Sequence, residues 1–325
     1  SKPGKPLTVS NRREFFFEEQ NRGGVARVLE RPNLFGAGMV ARTTADYTTG
    51  WLPGDIRGAF LADTDPADLV GDTDADRSIQ NNALTVNGTI TRAPVAPGAE
   101  LVFYGGFSSS NFFEFPNASN LDFGTGDFCL MFWTAANRLN ANSSVLSSST
   151  GEYFMFYTAS PLTVKCTLGG RNVFSGITIQ TGVLQHWAIT RTNGVMQMYR
   201  YGRLYNTGPA SEAINLSGGK VGTGPANNPF GPDLALLRIS ATAPTPDQIR
   251  RIYEDEKVLF QENAACTLYG TSDAVTALAH DPDTGLLHVG TSAGRSVFKG
   301  LRRVDNTTQP VTTAISAANG MVIEQ

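Results

Sequence analysis

The sequence predicts a mainly β protein built around a two-sheet antiparallel sandwich or jelly roll, and three observations support this. The 325 residues include 34 Gly, 17 Pro and 19 Phe with few long charged runs, a composition typical of short strands joined by turns. From residue 100 onward, short apolar runs are separated by turn residues at regular intervals. One of these turns is Asn193-Gly194, a dipeptide that favours the type I′ turn of a tight β-hairpin.

Residues 1–97 are predicted to be an extended N-terminal segment for attachment or oligomerisation. Apolar patches such as Phe15-Phe16-Phe17 and Trp51-Leu52 occur without a period that would close a core. The stretch 93–100 contains two prolines and a glycine, which is typical of a domain edge.

Residues 98–258 are predicted to form the jelly roll. Its apolar and aromatic runs are expected to bury the side chains of Phe128, Phe132, Trp133, Trp187 and Ile189.

One short amphipathic helix is predicted at 243–257. Thr245 is a suitable N-cap and Pro246 suits the first helical position. Ile249, Ile252 and Tyr253 fall on one face, which we expect to pack on the end or edge of the sandwich.

Residues 259–325 are predicted to be a small C-terminal β-hairpin region with a polar tail. Two apolar runs are joined by Asp-Pro-Asp-Thr-Gly at 281–285, which is a turn sequence. Because an isolated hairpin is marginally stable in water, we expect this region to pack on other parts of the protein or on further copies of the chain.

Three stretches resemble the laminin G-like, concanavalin A-type jelly-roll family, and the resemblance that they define extends over roughly half of the chain. They are DFGTGDFCLMFW (122–133), LQHWAITRTNGVMQMYRYGRLYNTG (184–208) and LALLRISATAPTPDQIRRIYEDE (234–256). The resemblance implies that the glycines of the first stretch turn the chain into a core strand. A phosphate-binding loop is a poor alternative, because such a loop leads into the N-terminus of a helix, whereas these glycines are followed by an apolar stretch typical of a strand.

Three flanking segments, 50–64, 90–114 and 281–304, are similar to segments of tailed-bacteriophage virion proteins that carry this jelly roll in tail fibres and related appendages. That resemblance implies a structural protein of the virion that assembles with other virion proteins. Fibre-like virion parts of this kind are commonly trimers, so a homo-oligomer, and specifically a trimer, is expected.

Composition argues against several other classes of protein. The net charge of −3 and the absence of a basic run give no electrostatic signature for nucleic acid. No apolar run approaches the ~18–20 residues of a membrane span. Cys129, Cys166 and Cys266 lack the spacing of a disulfide scaffold or a zinc site, and neither a metal nor a cofactor is predicted.

Concanavalin-like folds also include glycoside hydrolases, which need two carboxylates facing each other across a cleft. A strand with Glu-x-Asp-x-x-Glu would supply them, and the sequence contains no such run. Glu114 and Glu152 stand isolated among aromatic residues. We therefore predict that the protein is not an enzyme.

The acidic stretch 63–76 contains six aspartates. Asp72, Asp74 and Asp76 alternate as in a calcium loop, but glycine is missing at the sixth position and Ala83 occupies the twelfth. An EF-hand is excluded, a solvated acidic loop is the default expectation, and a calcium site of another kind stays open. His186, His280 and His288 have no partners that complete a metal set.

The candidate ligand-binding residues are Asn227, Asn228 and Phe230 in the loop 218–233, together with Tyr201 in the preceding hairpin. Asn amides can bond to sugar hydroxyls and an aromatic ring can cover the apolar face of a sugar. The alternative, a variable connection without function, stays open. In some members of the family the position of Tyr201 holds an aspartate near calcium, so the resemblance does not carry a metal site to this chain.

The function predicted from these observations is that of a structural phage virion protein, a tail fibre or similar appendage, that displays a jelly roll for recognising host-surface polysaccharide. The alternatives are a glycan-binding module of a bacterial surface protein and a glycan-cleaving enzyme of the concanavalin fold.

Overall fold

The computed structural model describes residues 55–310 except 61–64, 66, 72, 75, 77, 79, 136–143, 160–161, 180–181, 224–232, 272–273, 282 and 301. It also describes the backbone of short strands near both ends of the chain. The strands near the N-terminus are β1 (Phe15–Gln20), β2 (Val25–Glu30) and β3 (Met39–Ala41), which pair as an antiparallel sheet.

One compact unit contains Pro53–Val95 and Leu101–Lys257. Its first ten strands are β4 (Ile56–Ala59), β5 (Leu69–Val70), β6 (Thr73–Asp74), β7 (Leu84–Asn87), β8 (Thr89–Pro94), β9 (Val102–Gly105), β10 (Phe112–Glu114), β11 (Asp122–Gly124), β12 (Phe128–Ala135) and β13 (Ser144–Ser147). The remaining strands are β14 (Tyr153–Ala159), β15 (Leu162–Leu168), β16 (Arg171–Thr178), β17 (Leu184–Thr192), β18 (Val195–Arg200), β19 (Arg203–Pro209), β20 (Ile214–Asn215), β21 (Lys220–Val221) and β22 (Asp233–Ser240). The helix α1 (Pro246–Glu256) follows, and 3₁₀ turns lie at Ser119–Leu121 and Lys257–Phe260.

Two large antiparallel sheets form this unit, which confirms the predicted fold class. The eight-stranded sheet has the order β16-β15-β14-β13-β21-β10-β7-β6. The nine-stranded sheet has the order β19-β18-β17-β12-β22-β9-β8-β5, with β4 paired to β22. A core of apolar side chains contributed by both sheets lies between them. The rings of Phe128 and Phe154, one from each sheet, meet edge to face with their centroids 5.7 Å apart.

The five predicted core residues are at most 2% exposed, as expected. Phe128, Phe132, Trp187 and Ile189 belong to the core between the sheets. Trp133 is buried elsewhere, because it alternates with Phe132 along β12 and its ring stacks on Tyr253 of α1.

The predicted turn and helix signals are also confirmed. Asn193 and Gly194 both have positive φ, at 49° and 76°, as a type I′ turn requires. Thr245 caps α1, and it forms a capping box with Gln248, which follows Pro246 in the first turn.

The jelly-roll unit also includes strands from the segment 1–97, which was predicted to be extended. Leu84, Val86 and Ile90 on β7 and β8 are at most 3% exposed in the shared core. These residues alternate with polar residues over only a few positions, which is too short a pattern to predict a core strand. Pairing of β7 with β10 and of β8 with β9 places their apolar side chains against the core.

The second unit contains Ala96–Glu100 and the described residues from Val258 onward. It holds a four-stranded antiparallel sheet where one hairpin was predicted, in the order β23 (Val275–Asp281), β24 (Leu286–Thr291), β25 (Gly294–Lys299) and β26 (Arg302–Thr307). The last strand is polar, and its pairing with β25 makes it part of the sheet. The short strands β27 (Ile315–Ser316) and β28 (Val322–Ile323) pair near the C-terminus.

Candidate functional site

The outer face of the eight-stranded sheet carries a row of side chains that crosses five strands. Thr85, Glu114, Lys220, Ser147 and Tyr153 are successive opposed neighbours on β7, β10, β21, β13 and β14. Because directly opposed residues of antiparallel strands share a face, all five side chains lie on the same side. We call these five residues the outer row.

The adjacent residue on each of these strands belongs to an inner row. Val86, Phe113, Val221, Leu146 and Phe154 are opposed in the same way. Each is at most 3% exposed and belongs to the core between the sheets. Since successive strand residues point to opposite faces, the burial of the inner row directs the outer row away from the core.

The middle of the outer row combines a cation, a carboxylate and an aromatic ring. Phe112 lies two residues before Glu114 and therefore on the same face of β10. Its ring centroid is 4.6 Å from the Nζ atom of Lys220, within the range of a cation–π contact. Asn87 is directly opposite Phe112 and adds an amide to the same face. The arrangement offers hydrogen-bond donors, acceptors and flat apolar surface together.

Helix α1 packs on the outer side of the nine-stranded sheet. The Nε1 of Trp133 donates a hydrogen bond to Oε2 of Glu256 at 2.7 Å. Arg238 donates to Oε1 and Oε2 of the same carboxylate at 2.5 and 3.0 Å. The side chains of Arg238 and Glu256 are 3% and 0% exposed, so this ion pair holds the helix and is closed to ligands.

His186 is buried beside this ion pair and is a structural residue. Its ring centroid is 5.0 Å from that of Trp133 and 5.7 Å from that of Tyr253. Neither ring nitrogen has a hydrogen-bond partner among the described residues. Burial, assisted by the nearby positive charge of Arg238, lowers the pKa of His186 well below its usual value, so the ring is neutral at pH 7.

Three of the four predicted ligand-binding residues, Asn227, Asn228 and Phe230, lie outside the described residues. The chain reaches that segment at Thr223, whose carbonyl oxygen accepts hydrogen bonds from the hydroxyls of Ser144 and Ser147, both at 3.2 Å. Ser147 belongs to the outer row, so the described end of the predicted loop is anchored at the candidate site.

Tyr201, the fourth predicted ligand-binding residue, lies in the other sheet, at the turn between β18 and β19. Its φ is 53°, and its hydroxyl donates to the carbonyl oxygen of Leu184 at 3.2 Å. Burial raises the pKa of its phenol. Tyr201 is therefore not part of the outer row, and its role in ligand binding stays a prediction.

The two glutamates considered as catalytic residues have different environments. Glu114 is half-buried in the outer row. Glu152 is buried, and its Oε2 accepts hydrogen bonds from the hydroxyls of Ser148 and Thr150 in the turn that joins β13 to β14. Glu152 thus holds its own turn together.

The acidic stretch is solvent-exposed at Asp65 and Asp68, as expected of a solvated loop, but not at its C-terminal end. Asp76 is 7% exposed and accepts hydrogen bonds from the backbone N–H groups of Ala59, Ser78 and Asn82 at 2.7 to 2.9 Å. Its oxygens therefore stabilise the fold, which the composition of the stretch did not reveal. Across the described residues, no group of three or more His, Cys, Asp or Glu side chains is placed to hold a metal ion.

The outer row is not predicted from the sequence, although one of its strands shows part of the signal. In Asn-Phe-Phe-Glu-Phe-Pro at 111–116, Phe113 and Phe115 are buried while Phe112 and Glu114 are half-buried, which is the alternation of a strand with one free face. Alternation assigns faces within one strand only. The cross-strand register brings the five residues together.

Comparison with known proteins supports the fold. Residues 107–250, under half of the chain, match the family described as the concanavalin A-like lectin/glucanases superfamily, Laminin_G_3. This part of the chain therefore has a concanavalin A-like fold. No curated protein matches the chain. Among the described residues, no helix has the length and apolar character needed to cross a membrane.

Three solved structures illustrate the likeness in fold. Domain 4 of an extracellular GH43 arabinanase from Geobacillus stearothermophilus, in complex with arabinotriose, is 15% identical with a TM-score of 0.47, covering 61% of this chain and 98% of that one. Trypanosoma rangeli sialidase is 11% identical with a TM-score of 0.48, covering 67% and 37%. The receptor binding domain of botulinum neurotoxin C/D mosaic serotype is 13% identical with a TM-score of 0.48, covering 75% and 62%.

Proposed function

We propose that this chain binds a polysaccharide through the outer row and does so as a structural protein of a phage virion, in a tail fibre or similar appendage. The observation that carries the binding proposal is the outer row itself, a band of polar and aromatic side chains on the sheet that lies opposite the one covered by α1. The match of residues 107–250 to a superfamily of lectins and glucanases supports it.

The dimensions and chemistry of the outer row suit an extended glycan. Five neighbouring strands spaced by about 4.8 Å give a row roughly 19 Å long. The hydroxyl of Thr85, the carboxylate of Glu114 and the ammonium of Lys220 can bond to sugar hydroxyls. The rings of Tyr153 and Phe112 can cover the apolar faces of sugar rings.

The assignment to a virion is supported by sequence. The segments 50–64, 90–114 and 281–304 resemble tailed-bacteriophage virion proteins, and such parts are commonly homo-trimers that join other virion proteins. In this proposal the jelly roll is displayed toward polysaccharide on the host surface. Locating the chain in intact particles with an antibody is the direct test, and its absence from purified virions would contradict the assignment.

The binding proposal is tested by titrating the full chain with surface polysaccharide from candidate host bacteria. Tyr153→Ala should weaken binding about tenfold, the equivalent of roughly 1.4 kcal/mol. Val195→Ala, an exposed residue beside the Asn193-Gly194 turn, serves as the control and should leave the affinity unchanged. If Tyr153→Ala binds as tightly as the parent protein, the outer row is not the site.

We further propose that the chain binds glycan without cleaving it. Glu114 is the one carboxylate of the outer row, and Glu152 is engaged by two hydroxyls of its own turn. Both mechanisms of glycoside hydrolysis require a pair of carboxylates. Prolonged incubation with a bound polysaccharide should release no reducing ends. Release that disappears in Glu152→Gln or Glu114→Gln would favour the alternative, an enzyme of the concanavalin fold.

A further inference from the structure

The edge strand β19 contains a β-bulge that leaves Tyr205 without an opposed partner. Met198 is opposite Asn206 and Tyr199 is opposite Leu204, so Tyr205 is the extra residue. Bulges at sheet edges often redirect a side chain toward a ligand. Tyr205 is 45% exposed, which is high for a residue with so large an aromatic ring. A partly exposed aromatic ring is therefore presented on a strand that, among the described residues, is hydrogen-bonded to one neighbouring strand.

Arg200, at the end of β18, is held against this ring. Its Cζ is 4.3 Å from the Tyr205 ring centroid and 5.7 Å from the centroids of Trp187 and Tyr201. Its Nη1 donates a hydrogen bond to the carbonyl oxygen of Thr178 at 3.1 Å. The Nε and Nη2 groups make no hydrogen bond within the described part of the chain, so a positioned guanidinium retains donors for a ligand.

Positive charge is concentrated around this turn. Arg203 is directly opposite Arg200 and exposed, and the two side chains therefore share a face. Neither guanidinium forms an ion pair with a described residue. Such a pair of unneutralised cations favours an anionic ligand.

From this geometry we infer that Arg200, Arg203 and Tyr205 form a second glycan-binding site, selective for sugars that carry a carboxylate. The guanidinium groups would bond to the carboxylate of an acidic sugar, a pairing that arginine makes in bidentate fashion. The ring of Tyr205 would lie against the sugar's apolar face. An acidic polysaccharide repeats both features along its chain.

This inference goes beyond the proposed function by naming a ligand class and a different surface. It shares with that proposal only the premise that the ligand is a glycan. Tyr201, predicted from sequence to bind ligand, lies beside this second site through its contact with Arg200.

The test uses oligogalacturonate as the acidic probe, dextran as the neutral probe and polyglutamate as an acidic chain without sugar, each titrated into the full-length protein. Arg203→Gln and Tyr205→Ala should each weaken oligogalacturonate binding about fivefold to tenfold, consistent with the loss of one charge-assisted or stacking contact. Arg200→Lys keeps the charge but removes the fork of donors and should weaken binding by a similar factor. Arg302→Gln, which makes the same charge change on another unit of the chain, is the matched control and should have no effect.

The outcomes separate this site from the outer row. Tyr153→Ala should leave oligogalacturonate binding intact, so the second site can stand even if the first proposal fails. Three results would overturn the inference. The first is an affinity for dextran equal to that for oligogalacturonate. The second is an equal affinity for polyglutamate that the same substitutions weaken to the same extent, and the third is oligogalacturonate binding that neither Arg203→Gln nor Tyr205→Ala weakens.

Discussion

At the scale of single residues, the buried ion pair beneath α1 is sensitive to substitution. Arg238 donates two hydrogen bonds to the carboxylate of Glu256, both side chains are almost fully buried, and Trp133 donates a third hydrogen bond to the same carboxylate. A buried ion pair contributes little net stability compared with apolar residues of the same size, but removing one partner leaves the other charge without compensation.

Glu256→Ala should therefore destabilise the fold by about 3–5 kcal/mol. Chemical denaturation of the full chain, monitored by tryptophan fluorescence, would measure it. The double variant Arg238→Met with Glu256→Leu removes both charges and should recover most of that loss. A single variant as stable as the parent would mean that the carboxylate does not compensate Arg238.

The burial of His186 makes the stability of the fold depend on pH. Its pKa in the folded protein is lowered well below 6.5 by burial and by Arg238, whereas in the unfolded chain it is near the ordinary value. The unfolded state therefore gains a proton as the pH falls below about 6.5, and the contribution of this residue to stability is lost in that direction. Above pH 6.5 the contribution is fully present.

His186→Phe should reduce the loss of melting temperature between pH 7.5 and pH 5 compared with the parent, as judged by thermal denaturation at both pH values. Since neither ring nitrogen has a partner among the described residues, an apolar ring of similar shape should be tolerated at neutral pH. An identical pH dependence in variant and parent would show that His186 does not titrate as inferred.

At the scale of secondary-structure elements, α1 begins at the N-cap that the sequence predicts, Thr245. The Thr245 hydroxyl accepts a hydrogen bond from the Gln248 backbone N–H, and the Gln248 side chain accepts one from the Thr245 N–H. Both donors belong to the N-terminal groups that a helix leaves unpaired.

Thr245→Ala should cost about 1 kcal/mol of stability, the usual effect of losing an N-cap. Thr245→Ser retains the hydroxyl and should cost much less, so the difference in denaturation midpoint between the two variants isolates the cap. The prediction is wrong if both substitutions lower the midpoint equally.

At the scale of the whole molecule, the predicted trimer can be tested by mass. Light scattering on the full chain should give three times the 34.8 kDa of one chain. A fragment of residues 53–257 should be monomeric, because the prediction places assembly in the terminal segments. This fragment replaces the boundaries 98–258, which would remove β4 to β8 from the nine- and eight-stranded sheets. A monomeric full-length protein would refute the prediction.

Much of the fold could be predicted because its signals are local. Alternation in Phe128-Cys129-Leu130-Met131-Phe132 sets which residues face the core, since successive strand residues point to opposite sides. The Asn193-Gly194 dipeptide favours positive φ at both positions, which determines the hairpin turn. Thr245 and Pro246 mark the start of the helix for equally local reasons.

Only the tertiary structure determines which residues form the candidate sites and which partners the buried polar groups bind. Arg191 is an example. Its guanidinium donates hydrogen bonds to the carbonyl oxygens of Gly124, Gly126 and Glu212 and so stabilises the glycine turn before β12. These partners are far from Arg191 in sequence or on another strand, so the sequence did not predict them. The outer row likewise depends on a register between strands up to 135 residues apart in sequence, from Thr85 to Lys220. The sequence alone determined where the chain turns and which strand residues point inward. Long-range pairing decided which of them meet, because a register is set by the packing of whole faces.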